Sequence, residues 1–293
     1  MEPTQRIVCI GQACIDRTYR ADDAVRPATS NPARARHGYG GVARNVAESL
    51  ARMGCAVSLL TAVGDDADGA ALATHTAAAG VDVRGWRYSG ERGTGEYVAI
   101  LQPDGELAVG ACDAGPVEAI DAATIAEWGP VLESAAWVFA DCNLNAEALA
   151  ALIALRARSR FRLAIDAVSA AKVLRLPREL RDVDALFLNV HQAGRLAEPP
   201  NPRAQILTSG ADGVDVTVDG ATTHLRAVAA TPVDVTGAGD ALVAGTLGRL
   251  LVGDELLDAV RGGLLVAALT LESSASVRPD LSPRLLQESR HRL

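Results

Sequence analysis

Short apolar runs alternate with longer stretches of helical period along most of the chain. Arg6-Ile7-Val8-Cys9-Ile10-Gly11 reads as a buried strand closed by a glycine turn. The pattern then predicts a helix over 42–53 closed by Gly54, a strand over 56–63, a helix over 67–79 and an extended piece starting at 80–83. Residues 17–37 read as polar and irregular. Further on, helices over 121–133 and 146–158 alternate with strands over 137–140, 162–165 and 185–188, followed by a short strand over 205–207. Two alternating runs, 96–102 and 106–112, flank Pro103-Asp104-Gly105, and a second pair, 214–218 and 222–225, flanks Asp219-Gly220; both read as hairpins. The first hairpin breaks the βα rhythm and is expected in a small sheet protruding from the main body. Helices over 241–251, 255–271 and a last amphipathic one complete a βαβα pattern. It predicts an α/β fold with a mostly parallel central sheet covered by helices on both faces.

In such sheets ligands gather where parallel strands end. Polar residues recur there, at Asp16, Asn143, Asp166 and Asn189. Asp16 is either a ligand contact or the cap of a turn. Gly40-Gly41 opens a helix and lets a ligand approach the backbone; Asn45, a poor helix former, follows inside that helix, either with a side-chain task or simply exposed. The most informative stretch is Val233-Asp234-Val235-Thr236-Gly237-Ala238-Gly239-Asp240, glycine-rich and running straight into an apolar helix. Free N–H groups at such a helix start favour an anion. An acid in the same turn suits a base that takes a proton from a hydroxyl while the backbone steadies a transferring phosphoryl group. The plainer alternative is an acidic first helical turn. The stretch is not a Walker loop, because no Gly-Lys-Ser/Thr follows, and Leu242 stands where a dinucleotide fingerprint needs its third glycine.

Composition narrows the function further. With 293 residues, 49% of them hydrophobic, the chain can bury a large core, and with 3% aromatics that core is aliphatic. A net charge of −8 argues against nucleic-acid or membrane-surface partners while leaving room for a small anionic ligand. Lys172 is the single lysine. The five cysteines, an odd number without a Cys-x-x-Cys pair, fit reduced thiols. No signal-like apolar run precedes Ile7 and no apolar stretch is long enough to span a bilayer, so a cytoplasmic protein is expected.

Two motifs, Gly40-Gly41-Val42-Ala43-Arg44-Asn45 and Asp234-Val235-Thr236-Gly237-Ala238-Gly239-Asp240, in this order and separation, resemble those of the PfkB, or ribokinase-like, carbohydrate and nucleoside kinases. The resemblance runs from about Arg6 to Leu286. It implies a single ribokinase-like domain over 1–293, a three-layer α/β/α core, and a β-sheet lid from about 14–38 and 85–112 that often pairs subunits into a homodimer. It also implies ATP and Mg²⁺, with K⁺ in some members.

Within the family the chain most resembles the pseudouridine-phosphorylating members. The stretches that carry this are Ser30-Asn31-Pro32, Gly41 to Glu48, Ala140-Asp141-Cys142-Asn143, Asp166 to Lys172 and Pro279-Asp280-Leu281-Ser282. The implied reaction moves the γ-phosphoryl group of ATP to the 5′-hydroxyl of pseudouridine.

Placed on matching positions, Asp240 resembles the base, and Gly237, Ala238 and Gly239 the anion hole. Asp16, Gly40, Gly41 and Asn45 resemble the sugar contacts. Asn189, Thr208, Gly210 and Gly213 resemble the nucleotide side, and Asp234 with the Thr236 carbonyl a monovalent-cation site. Ser30, Asn31 and Asn143 either read the uracil edge or, for the first two, belong to a solvated loop. Lys172 either meets phosphate charge or lies at the surface.

Three departures bear on this reading. Gln192 replaces the glutamate of the family's Asn-x-x-Glu, and an amide is a weaker ligand for a hard cation. The 192–205 segment is short and proline-rich. Cys14 stands where many ribokinase-like enzymes carry asparagine. The competing readings are a ribokinase- or fructokinase-like enzyme for another nucleoside or sugar, and a weakly active nucleoside-binding protein. A nicotinamide dehydrogenase is disfavoured, because no G-x-G-x-x-G follows the first strand.

Overall fold

The computed structural model describes residues 4–293. In chain order the elements are β1 (Thr4–Ile10), β2 (Cys14–Ala21), β3 (Ala33–Gly40), α1 (Val42–Arg52), β4 (Ala56–Leu60), β5 (Ala62–Gly64), α2 (Ala67–Ala78), β6 (Arg87–Ser89), β7 (Glu96–Leu101) and β8 (Leu107–Asp113). Then follow α3 (Ala122–Glu133), β9 (Ala135–Asp141), α4 (Ala146–Ala157), β10 (Arg162–Asp166), β11 (Ala185–Asn189), α5 (Val190–Ala193), β12 (Ala204–Thr208), β13 (Val214–Val218) and β14 (Ala221–Leu225). The chain closes with α6 (Ala238–Leu251), α7 (Leu256–Leu271) and α8 (Pro283–Ser289).

The central sheet has eight strands in the order β14-β13-β12-β11-β10-β9-β1-β4. From β12 to β4 every pairing is parallel; β13 and β14 add an antiparallel hairpin at one edge. Strand alternation sorts its side chains into two cores. Ile7, Cys9, Trp137 and Phe139 pack with α1, α6 and α7 residues such as Leu50, Leu247 and Leu264. Val8, Ile10, Val138 and Ala140 pack with α3 and α4 residues such as Leu132 and Leu149. Strands buried on both faces must read as unbroken apolar runs, which is how they read in the sequence.

A separate sheet has the order β3-β2-β7-β8. Here the structure corrects two expectations. Residues 17–37 are not irregular: β2 and β3 pair antiparallel from Cys14 opposite Gly40 to Ala21 opposite Ala33. Only the ends nearest the site, at Ile15 and Tyr39, reach the core; the middle of β2 is half-buried and β3 is exposed at its first six positions, so no continuous face demands apolar residues. The sheet also starts later in its second half than 85: β6 pairs with β5, β7 joins β2, and β8 pairs with β7. Two smaller differences lie beside them. The strand expected over 56–63 divides into β4 and β5 around Thr61, and the extended piece at 80–83 makes a single bridge, Asp82 to Ser58. Among the described residues no helix is long and apolar enough to cross a membrane.

Candidate active site

Parallel pairing places the ends of five neighbouring strands on one edge. Asp141 lies opposite Asp166 and Asn189 opposite Thr208, with Gly11-Gln12 continuing β1 beside them. Asp141 is fully buried and organises this edge. Its Oδ2 accepts the N–H groups of Gln12 (3.0 Å) and Ala43 (2.9 Å), and its Oδ1 accepts that of Asn143 (2.9 Å). One carboxylate therefore ties the ends of β1 and β9 to the first turn of α1. Burial raises its pKa, and the three N–H bonds oppose that rise. The sequence places Asp141 in the Ala140-Asp141-Cys142-Asn143 stretch that carries the resemblance but assigns its side chain no role.

The start of α1 is shaped by two glycines. Gly41 has φ 95°, and a Cβ there would collide with the Gln12 carbonyl oxygen; a Cβ on Gly40 would occupy the position of the Asp16 carboxylate. Asp16 is half-buried, and burial raises its pKa against the pull of Arg44. Arg44 itself is 1% exposed. Its guanidinium donates to the carbonyls of Gly40 (2.8 Å) and Tyr39 (2.6 Å), to Glu48 and to Asn45 Oδ1. This fixes the orientation of the Asn45 amide: Oδ1 faces Arg44, and Nδ2 donates to Asp240 Oδ2 at 2.6 Å. Asn45 is thus a buried partner of the expected base, and Arg44, which sequence reading passed over, aims it. Glu48 is held below the usual carboxylate range; burial alone would raise it, but Arg44, Arg52 and His75 outweigh that.

Asp240 sits in the first turn of α6, whose preceding Gly237 takes the left-handed conformation at φ 80°. A Cβ at Gly237 would collide with the Ser276 carbonyl oxygen, so only glycine fits between this turn and the 272–282 segment. No side chain caps the helix, and Gly239 is open to solvent with nothing beside it. The Ala238 N–H makes one long bond, 3.4 Å, to the Val235 carbonyl, and the N–H groups of Gly237 and Gly239 have no backbone acceptor among the described residues, as suits an N-terminus that meets an anion. Asp240 is half-buried. Burial first, then the charges of Asp141 and Asp16, push its pKa up to about 7, while the Asn45 bond and Arg44 restrain the rise. Asp166 is pushed up to about 8 by burial and by the charge of Asp240. Its carboxylate accepts the N–H of Val168 (2.7 Å), which holds φ 62°, an uncommon angle for a β-branched residue. At pH 7 the acids cannot all ionise cheaply, so one of them is poised to exchange a proton.

Other expected residues fall in three places. Asn143 is buried; its Oδ1 accepts from Lys172 Nζ, and Arg175 donates to its carbonyl at 2.7 Å. Lys172 is therefore tied into the edge beside Asn143. Asn189, Thr208, Gly210 and Gly213 sit together at the ends of β11 and β12, where Gly210 and Gly213 bound a single 3-10 turn. The Asn189 side chain accepts the Gln192 N–H at 2.9 Å, and Gln192 Oε1 accepts the Asn189 N–H at 2.7 Å, a reciprocal cap on α5. Asp234 Oδ1 accepts the Thr236 N–H at 2.9 Å in the loop before α6. Ser30 is exposed, and Asn31 bonds the backbone of its own loop at Arg26 and Thr29. Neither residue is bonded to the Asp240 cluster.

Comparison with known proteins agrees with this geometry. The pfkB family carbohydrate kinase pattern matches residues 4–282. The chain belongs to the pfkB carbohydrate kinase family. It is 29% identical over 300 residues to the pseudouridine kinase of Escherichia coli (strain K12), covering 96% of this chain and 95% of that one. It is 30% identical over 304 residues to an uncharacterized sugar kinase of the same organism, covering 94% and 80%. The ribokinase of Arabidopsis thaliana, solved with ribose and ATP, superposes with a TM-score of 0.86 over 99% of both chains at 18% identity. The central sheet, its helices and the separate small sheet are thus the ribokinase fold, and the protein is a sugar or nucleoside kinase of this family.

Proposed function

We propose that this protein transfers the γ-phosphoryl group of ATP to the 5′-hydroxyl of pseudouridine. One observation carries the transfer step: Asp240, its pKa near 7, bonded to Asn45 at the uncapped start of α6. Asp240 takes the hydroxyl proton as the new O–P bond forms. The bond from phosphorus to the bridging oxygen breaks, and its electron pair leaves with ADP. The N–H groups of Gly237 and Gly239, with that of Ala238 released from its long bond to the Val235 carbonyl, face the charge on the moving group. Asp16 and the Gly40-Gly41 backbone hold the sugar. Support for the acceptor is the 29% identity to the Escherichia coli pseudouridine kinase over nearly the whole chain.

The nucleotide suits the edge formed by Asn189, Thr208, Gly210 and Gly213, which offers a carboxamide, a hydroxyl and the backbone of a tight turn. A protein-held Mg²⁺ fits less well. Among the described residues no three His, Cys, Asp or Glu side chains form a metal cluster, and Gln192 Oε1 is committed to the α5 cap. Mg²⁺ then belongs chiefly to the nucleotide phosphates. A K⁺ ion at Asp234 and the Thr236 carbonyl would add positive charge beside the anion hole. We place this chemistry in the cytoplasm and pair two copies through the small sheet, whose edge strand β8 exposes Leu107 and Val109.

Gln192→Glu is expected to lower the half-saturating Mg²⁺ concentration several-fold with little change in Tm. Either carboxylate oxygen can keep the Asn189 bond, leaving the other for the cation. A Mg²⁺ titration that does not move would show the ion held elsewhere.

The acid limb of kcat/KM is expected near pH 7, with activity rising as Asp240 loses its proton. Asn45→Ala removes a bond that favours the charged carboxylate, so the limb should move to higher pH. A limb that stays in place would come from the nucleotide rather than from Asp240.

A second acceptor reading is favoured by Cys14, whose thiol lies 3.8 Å from Asp16 Oδ1 in the sugar region. ATP consumption with pseudouridine, uridine, cytidine, adenosine, ribose and fructose, with Mg²⁺ and K⁺ present, decides between them. Preference for pseudouridine is expected. Preference for another acceptor would discard the substrate and keep the Asp240 chemistry. Thermal stabilisation by one of them without turnover would favour the binding-protein reading.

A further inference from the structure

The candidate site gathers the carboxyls of Asp16, Asp141, Asp166 and Asp240, and the transferring group brings more negative charge to it. The nearby cations are already engaged. Arg44 is committed to Glu48, Asn45 and two carbonyls, and Lys172 to Asn143. Strand register points to another. Asp16 pairs with Gly38 and Thr18 with Arg36, so Asp16, Thr18 and Arg36 share one face of the small sheet, the face that brings Asp16 to the site. Arg34 and Arg20 continue that face, but Arg34 pairs with Asp22, and Arg20 donates to the Pro103 carbonyl. Arg36 is exposed, and among the described residues it forms no ion pair. Its Nη2 donates to the Ser274 carbonyl at 3.3 Å. Ser274 is two residues from Ser276, whose carbonyl abuts Gly237 at the anion hole. A guanidinium on the small sheet thus reaches across to the segment that walls the α6 N-terminus, held there by one long bond to a neutral acceptor.

We propose that Arg36 is the cation that meets the terminal phosphoryl group, exchanging the Ser274 carbonyl for phosphoryl oxygens. A planar fork with several donors suits that group better than a single carbonyl does. The inference rests on the kinase reading above and adds a residue from the small sheet to the transfer step.

The test compares Mg²⁺-loaded ADP with Mg²⁺-loaded AMP-PNP by calorimetry, on wild type, Arg36→Ala and Arg36→Lys. Arg36→Ala is expected to weaken AMP-PNP about tenfold, the scale of one charge-assisted hydrogen bond, and to leave ADP within about twofold. Arg36→Lys should recover part of the loss. With the preferred acceptor, Arg36→Ala should lower kcat much more than it raises the acceptor KM. Because the side chain is exposed, Tm should be unchanged. Wild type that binds both nucleotides, with Arg36→Ala weakening neither or weakening both equally, would make Arg36 a structural strap to Ser274 and overturn the proposal alone. Wild type that binds neither nucleotide would remove the kinase reading and this proposal with it.

Discussion

Asp240→Asn is expected to lower kcat by about 10²–10⁴-fold while nucleoside affinity stays within a few-fold. The substitution keeps the shape of the side chain and an acceptor for the Asn45 Nδ2, which lies 2.6 Å from the carboxylate. It removes only the capacity to take a proton. A second measurement follows from linkage. An aspartate titrates near 4 in the unfolded chain, whereas Asp240 in the folded protein is pushed up to about 7. Between these values the folded state binds more protons than the unfolded state, so this group withdraws stability as pH rises through that window. Asparagine carries no such penalty. Asp240→Asn should therefore raise Tm at pH 8 by roughly 5–10 °C, allowing about 2–4 kcal/mol for a half-buried group, and the gain should shrink toward pH 4. Loss of activity with a gain in stability at pH 8 would mark a functional acid kept at a cost. Comparable kcat in the variant would remove Asp240 as the base, and a Tm gain equal at both pH values would mean that its carboxyl titrates normally.

The central sheet was legible because its strands are buried on both faces. Runs such as those at 137–140 and 185–188 admit no polar residue until the strand ends, so both their extent and their functional edge show in the sequence. The small sheet was legible only where a turn announced it, at Pro103-Asp104-Gly105. Strand β3 reads Ala33-Arg34-Ala35-Arg36-His37-Gly38-Tyr39-Gly40, and wet on most positions it carries no periodic apolar signal. The same contrast holds in the site. Gly237 and Asp240 lie in one short stretch whose backbone demands are local, so spacing alone suggested an anion hole and a base. The Asn45–Asp240 bond joins residues 195 positions apart, and no local pattern encodes it. Arg44 stands inside the Gly40–Asn45 motif with nothing local to give it a role; its near-complete burial is a property of the packed state. Asp141 carried a usable signal, a carboxylate directly after an apolar strand and before a cysteine, and burial turned that strand end into a three-way tie. Gln192 was read through its missing charge, whereas its amide caps α5.

Arg44→Met is expected to cost about 3–5 kcal/mol and to lower Tm by roughly 10 °C. Removing the guanidinium strips Glu48 of its buried partner, leaves the carbonyls of Gly40 and Tyr39 without their donor, and frees Asn45 Oδ1. Arg52 and His75 still face Glu48 from the surface side, so part of its charge remains compensated. The stability loss and the activity loss have separate origins, and a second substitution separates them. Arg44→Met with Glu48→Leu removes both buried charges and should recover much of the stability, as replacing a whole buried ion pair by apolar groups commonly does. Activity should not return with it, because nothing then holds the Asn45 amide with Nδ2 toward Asp240. In the double variant the acid limb of kcat/KM should lie above that of wild type. Arg44 and the well-aimed Asn45 bond both favour the charged carboxylate, so losing them raises the pKa of Asp240 further. Recovery of stability and kcat together would show that Arg44 serves the fold alone and that Asn45 finds its orientation without it.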